Sequence, residues 1–269
     1  MGMVASKLKR DKAMNHVSKI YIKSAEKIKK NGLRLFFKDC VEKIFNFRRT
    51  RIIQDLINLN NARTYIEIGV REGDVFKNID VSRKIAVDVE RRAGMKELAD
   101  NEVFYEMTSD QFFENEAPQL FDTDKIDIAF IDGYHEFFQV LRDFQNTEKF
   151  ISEKGIIVMH DCNPVAKKTE ATRGGLWSGD AWKAAYYINH HRSDLNFFTL
   201  NCDYGLGVVY GFDKRMQPSQ NAEQTELLRK IKELNYNFLE KNRKASTNLK
   251  SPFARRLLFT GIEKHIHSQ

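Results

Sequence analysis

Apolar positions along the chain change their period near residue 50. Before it, Val17, Ile20, Tyr21, Ser24 and Ile28 share one helical face, which Asn31-Gly32 closes, and Leu33, Phe36, Phe37, Cys40, Ile44 and Phe45 form a wider aromatic stripe. The spacing predicts two helices, over 15–30 and 33–45. After residue 50 the apolar runs shorten. A helix over 51–59 precedes strands over 64–68, 84–89, 102–106, 126–131 and 155–160, with segments of helical length at 91–99 and 136–153. Such alternation predicts a parallel sheet covered by helices on both faces. A helix over 179–190 then leads to strands over 196–200 and 208–212, joined only by the turn Asp203-Tyr-Gly-Leu-Gly207. A connection that tight makes an antiparallel pair, expected at one edge of the sheet. Leu227, Ile231, Leu234, Phe238 and Leu239 predict one helix over 226–241. The stretch 242–269 is basic and weakly patterned, with a helix expected only at 253–259.

The pattern divides the chain into a basic helical extension (1–50), an α/β body (51–213) and a helix with a basic tail (214–269). Charge follows the same division. The net charge is +7, yet Met1 to Arg51 holds fifteen Lys/Arg against four Asp/Glu, so the remainder is net acidic. The arm suits an anionic polymer, a membrane surface or an acidic neighbour, unless it is a solvated face. Its opening Met1-Gly2-x-x-x-Ser6 also fits the short N-myristoylation pattern. Three distant cysteines offer neither a disulfide framework nor a thiolate zinc site. With no transmembrane-length run and no secretory pattern, the expected location is cytoplasmic, or peripheral at a membrane through the arm. The aromatic stripe of 33–45 and the helix over 226–241 are the surfaces expected to make a homodimer.

Chemistry is expected where strands end, because ligands of doubly wound sheets bind beyond the carboxyl ends of the strands. The first strand runs into Glu67-Ile-Gly69-Val-Arg-Glu-Gly73, which looks like a turn opening a helix. Glycine there lets a ligand approach the backbone, but Glu67 stands where Gly-x-Gly-x-x-Gly needs a glycine. The turn therefore suits a nucleoside lacking a pyrophosphate. The second strand ends at Asp88, placed to accept ribose hydroxyls. The third is followed by Met107-Thr-Ser-Asp110, suited to an adenine edge, the fourth by Asp132-Gly-Tyr-His135, and the fifth by His160-Asp161-Cys-Asn163.

These tips, with Gly155-Ile-Ile-Val-Met-His160-Asp161 and Gly179-Asp-Ala-Trp-Lys183, make the stretch from Arg51 to Phe212 resemble class I S-adenosylmethionine-dependent methyltransferases. The likeness is greatest to the branch that methylates hydroxyls of sugars and other small molecules. The resemblance implies a Rossmann-like seven-stranded sheet, order 3-2-1-4-5-7-6 with the last strand antiparallel. It also implies S-adenosylmethionine bound by Glu67, Gly69, Gly73, Asp88, Ser109, Asp110 and Asp132. It implies a divalent cation, magnesium by preference, on Asp132 and Asp161, with His160 as a further ligand. This chain departs from its relatives in having His160 before Asp161 and Cys162 after it. His135 is the preferred base, with Asp132 and His160 beside it, and a vicinal diol of a sugar is the preferred acceptor.

Each residue also has a plainer reading. Asp132 could cap the helix starting near Glu136, Glu67 could serve local hydrogen bonding, and His160 could be a satisfied structural histidine. Two other functions fit parts of the sequence: nucleic-acid methylation using the basic arm, and a non-catalytic cofactor-binding or scaffold role. Against the first, Asn163-Pro164 is followed by Val165 and not by a second proline. Against the second, Asp132, His135 and Asp161 are all intact. The loop from Arg173 to Gly179 has the composition of a lid.

Overall fold

Period-two alternation within the strands divides their side chains between two apolar layers. Ile66, Ile68, Ile85, Val87, Ala129 and Ile157 join one, while Tyr65, Ala86, Ile128, Phe130, Ile156 and Val158 join the other. Both faces need a cover. The computed structural model describes residues 48–171, 177–213 and 222–268, which lie in the compact unit Phe47–Gln269. The helices expected at 15–30 and 33–45, the basic arm and most of the lid-like loop lie outside the described residues.

The order begins with α1 (Arg49–Asn60), β1 (Thr64–Ile68), β2 (Arg83–Asp88) and β3 (Glu102–Glu106), then α2 (Ser109–Asn115), α3 (Ala117–Leu120) and β4 (Ile126–Ile131). Next come α4 (Phe137–Phe150), β5 (Ile151–Met159), α5 (Lys167–Ala171), α6 (Trp182–His191), β6 (Asn196–Leu200) and β7 (Leu206–Tyr210). The described chain closes with α7 (Ala222–Lys232), α8 (Tyr236–Ser246), β8 (Leu249–Lys250) and α9 (Arg255–Ser268). The sheet order is β3-β2-β1-β4-β5-β7-β6-β8. β1 to β5 are parallel, and β7 runs antiparallel to both β5 and β6.

This is the expected fold with one strand more. β8 pairs in parallel with β6, Thr199 opposite Leu249, so the antiparallel pair does not form the edge. α2, α4 and α6 contribute Phe112, Phe144 and Ile188 to the first layer. α1 and α9 contribute Ile52, Ile53, Leu56 and Ile262 to the second.

Four local expectations are corrected. The segment 91–99 forms only a 3-10 turn at Ala93–Met95, because a Cβ on Gly94 would lie 2.0 Å from the Glu72 carbonyl oxygen. The backbones there are already in contact. The turn after β1 opens no α-helix, only the 3-10 turn Phe76–Asn78. The helix expected over 226–241 is interrupted, since Asn235 accepts a hydrogen bond from Phe238 N and starts α8 as an N-cap. The loosely patterned tail contains β8 and the fourteen-residue α9, whose apolar side faces the sheet.

Candidate functional site

Parallel strands carry their carboxyl ends to one rim, and two neighbouring cavities open there. One, of about 380 Å³, is lined by Glu67, Asp132, His135, His160, Asp161 and Arg49 among others. The other, of about 460 Å³, is lined by Asp88, Met107, Thr108, Ser109, Asp110 and Asp143 among others. Both include Gly69, Arg71, Asp132 and His135, and both sizes fall in the range of small-molecule sites, about 300–1,000 Å³.

Gly69 closes the wall between them. Its φ is +83°, and a Cβ would sit 2.4 Å from the Asp132 carbonyl oxygen and from Gly133 Cα. Only glycine permits that approach. Asp88 Oδ2 accepts hydrogen bonds from Val70 N (2.9 Å) and Arg71 N (2.8 Å), so the predicted ribose carboxylate also fixes the turn after β1. Gly73 (φ +80°) lines neither cavity. It donates its N–H to Val70 O and would meet Met95 Sδ at 2.5 Å if it carried a Cβ.

At the rim beyond β3, Thr108 and Gln111 form a reciprocal capping box that starts α2 and sets Ser109 and Asp110 on the cavity. Ser109 Oγ donates to Asp143 Oδ1 at 2.6 Å, and Gln139 Nε2 donates to the same oxygen at 3.0 Å. Asp143 comes from α4 and is 1% exposed. Burial pushes its pKa up to about 6, against the two hydrogen bonds and with Asp110 nearby. The pattern of α4 hides this residue, although a charge between Val140 and Phe144 on an apolar face is the signal that marks it.

The first cavity is walled by paired charges. Asp132 does not cap α4, because the N-cap Glu136 makes no side-chain capping bond and Phe137 N donates instead to Asp180 Oδ1 at 2.7 Å. Asp132 faces the cluster. His160 Nδ1 lies 2.9 Å from Asp132 Oδ1 and 3.3 Å from Asp161 Oδ2. His135 Nδ1 lies 3.0 Å from Asp161 Oδ2 and 2.9 Å from Trp177 O, with Nε2 3.5 Å from Asp132 Oδ1. Asp161 takes a left-handed φ of 59°, a strained conformation for a non-glycine residue, and such strain gathers at functional sites.

Arg49, from the first turn of α1, completes the cluster. Its Nη1 donates to Asp132 Oδ2 at 2.7 Å and its backbone N to Asp203 Oδ2 at 3.1 Å. Nη1 is 3.3 and 3.2 Å from the two ring nitrogens of His160. It therefore lies over the ring, in line with neither lone pair. Neither Arg49 nor Asp203 was marked by the sequence, since each reaches the site only through packing.

Burial disfavours every charge here, and the pairing outweighs it. Asp132 is held far below the carboxylate range by the His160 charge, hydrogen bonds from both histidines and Arg49. Asp161 and Asp203 are lowered in the same way, chiefly by His160 and, for Asp161, by His135. His160 is raised well above its usual value by Asp132 and Asp161, and His135 is raised to about 10 by its bonds to the same carboxylates. In this state both rings carry protons, and their basicity depends on what engages the carboxylates. Glu67 differs: burial pushes it up to about 8, although Tyr65 Oη donates to Oε2 at 2.7 Å. It is therefore neutral at pH 7.

Residues 50–162 match the family model of a methyltransferase domain. No curated protein sequence matches the chain. Among solved structures it is similar to the O-methyltransferase TomG from Streptomyces achromogenes, involved in tomaymycin synthesis and solved with SAM. That likeness has 13% identity and a TM-score of 0.47, covering 61% of this chain and 80% of that one. It is similar to an O-methyltransferase from Bacillus cereus in complex with SAH, at 14% identity and a TM-score of 0.43, covering 63% and 85%. It is similar also to MycE from the mycinamycin biosynthetic pathway, in complex with Mg and SAH, at 16% identity and a TM-score of 0.42, covering 63% and 50%.

The two cavities at the rim are thus lined by the residues named from the sequence as site candidates, apart from Gly73. Among the described residues no helix is long and apolar enough to cross a membrane.

Proposed function

We propose that this chain transfers a methyl group from S-adenosylmethionine to a hydroxyl oxygen of a small molecule, with a sugar or glycoconjugate as the acceptor class. The observation that carries this reading is the pair of cavities sharing Gly69, Arg71, Asp132 and His135. One offers a nucleoside the Asp88 carboxylate and the polar stretch Thr108 to Asp110. The other ends in carboxylates and imidazoles suited to hydroxyls. Gly69 lets the turn after β1 press against Asp132 and Gly133, which sets Glu67 and Asp132 side by side at what this reading takes as the methionine end of the cofactor. Gly73 supports the turn from behind.

The donor is already activated as a sulfonium, so the protein's task is alignment and proton removal. The methyl carbon's bond to sulfur breaks as its bond to the acceptor oxygen forms. Sulfur keeps the electron pair and becomes a thioether, and the hydroxyl proton leaves to a base. His135, the more exposed ring, is that base in this reading once a ligand engaging Asp132 and Asp161 lifts the bonds that hold it protonated, and His160 is the second candidate. Asp132, Asp161 and His160 would hold a divalent cation, magnesium if carboxylates dominate the site. When bound, such an ion lowers the pKa of a hydroxyl beside it.

Titration calorimetry of S-adenosylmethionine into chelator-treated protein tests the reading, with Asp88→Ala as control and sugar diols screened afterwards. Cofactor binding that Asp88→Ala strongly weakens is the expected result. No binding with or without magnesium would remove the proposal.

A further inference from the structure

Three residues in a row between β6 and β7 take left-handed backbone angles: Asp203 at φ 42°, Tyr204 at 61° and Gly205 at 95°. Glycine accepts that geometry and aspartate tolerates it, but a bulky aromatic residue there is strained. The turn is clamped in this shape. Asn163 N donates to Tyr204 O at 2.8 Å, Cys162 N donates to Gly205 O at 3.1 Å, and a Cβ on Gly205 would lie 2.4 Å from Asn163 N. Those bonds use only backbone atoms of the turn, so asparagine or glycine would meet them with less strain than tyrosine. The Tyr204 side chain therefore answers to something other than the turn, and such strain gathers where function needs it. It is half-buried and lines the cavity of about 380 Å³, with its ring 6.3 Å from that of His160 and tilted 71° to it.

Trp177 lines the same cavity and stacks on His135, with ring centroids 5.3 Å apart and 19° between the planes. One aromatic ring thus stands beside each of the two histidines that contact Asp132 and Asp161. The rest of the lining is mostly charged, Arg71, Glu72 and Asp74 included. Such walls give little cover to a wholly apolar ring. They suit a ring that carries C–H groups on its faces and hydroxyls around its edge, the faces lying on aromatic side chains and the hydroxyls on carboxylates and imidazoles. We infer that Tyr204 determines acceptor specificity by presenting its ring to one face of a pyranose, with Trp177 as the second ring of the acceptor site. This rests on the proposed methyl transfer to a sugar hydroxyl and names the side chains that choose the sugar.

Methyl glucopyranoside, methyl galactopyranoside and methyl rhamnopyranoside are titrated into the full-length protein with and without S-adenosylhomocysteine, with catechol and glycerol for comparison. Saturation-transfer NMR reads the affinity and the ligand protons that face aromatic rings. At least one pyranoside is expected to bind about tenfold tighter than catechol or glycerol, with saturation strongest on the C–H protons of one face. Tyr204→Asn, which suits the left-handed backbone, should weaken that binding about tenfold while leaving S-adenosylhomocysteine binding unchanged. Tyr204→Phe keeps the ring and should bind as the wild type does. Binding of no pyranoside, equal or tighter binding of catechol or glycerol, unchanged affinity in Tyr204→Asn, or an equal loss in Tyr204→Phe would each overturn the inference. Should Tyr204→Asn not fold, Tyr204→Gly and the wild-type saturation pattern decide. S-adenosylmethionine calorimetry on the same samples separates this outcome from the first proposal. Cofactor binding without pyranoside binding sinks only the acceptor site, and pyranoside binding through Tyr204 without cofactor binding sinks only the methyl transfer.

Discussion

The two cavities at the sheet rim solve opposite problems of burial. Around Asp132, carboxylates, imidazoles and a guanidinium are packed so closely that each keeps its charge. Around Asp143, a carboxylate meets only a hydroxyl and an amide, and burial pushes it toward neutrality. A buried acid therefore keeps its charge through its partners and not through its depth.

The sharpest way to break this comparison is to remove a partner from the charged cluster. Asp132→Ala leaves Arg49 and His160 without their shared acceptor and should cost about 3 kcal/mol in urea unfolding. A cost under about 1 kcal/mol would show that the pairing contributes no more than a surface ion pair. The second test uses the sign of the Asp143 shift. Its folded pKa of about 6 exceeds the usual 3.8, so between those values the folded state binds more protons. Its contribution is best below 3.8 and falls as pH rises through about 6. The two limits differ by up to about 3 kcal/mol. Asp143→Asn should flatten that fall, seen by comparing urea midpoints of variant and wild type at about pH 4.5 and 7.5. Equal slopes would refute the burial argument.

A third substitution acts on the wall both cavities share. Asp88→Ala removes the acceptor of two backbone N–H groups in the turn and should weaken cofactor binding about 100-fold, or roughly 3 kcal/mol. Calorimetry reads that loss directly. The smallest effect belongs to Ser109→Ala. Deleting one hydroxyl bond to Asp143 should cost about 1 kcal/mol and raise the pH at which that carboxyl ionises, measurable in the same urea series.

Most of the frame was legible because strands buried on both faces write near-continuous apolar runs, and their polar ends stand out. Glu67, Asp88, Asp132 and Asp161 were found this way. Arg49 was not, since an arginine at the start of a helix in a basic segment carries no mark of the carboxylates it meets 83 and 154 positions later. Asp203 read as turn chemistry, and only the β5–β7 pairing brings it to His160. α9 was expected only over 253–259 because its buried positions, Phe259, Ile262 and Ile266, are few and Gly261 falls between the first two. Asn235 was read through as part of a helix, though it is a capping residue.

α9 also has a consequence in time. It lies against the same apolar layer as α1 and is tied to it by Arg255 and Asp55, 3.1 Å apart. A ribosome delivers α1 long before α9. Until residues near 260 emerge, Ile52, Leu56 and the sheet face beside them lack their lid of apolar side chains. Contacts this distant in sequence slow folding, and exposed apolar surface invites association while they wait. The domain therefore completes its folding only after nearly all of it has been synthesised. During that interval a chaperone that shields apolar surface has most to act on.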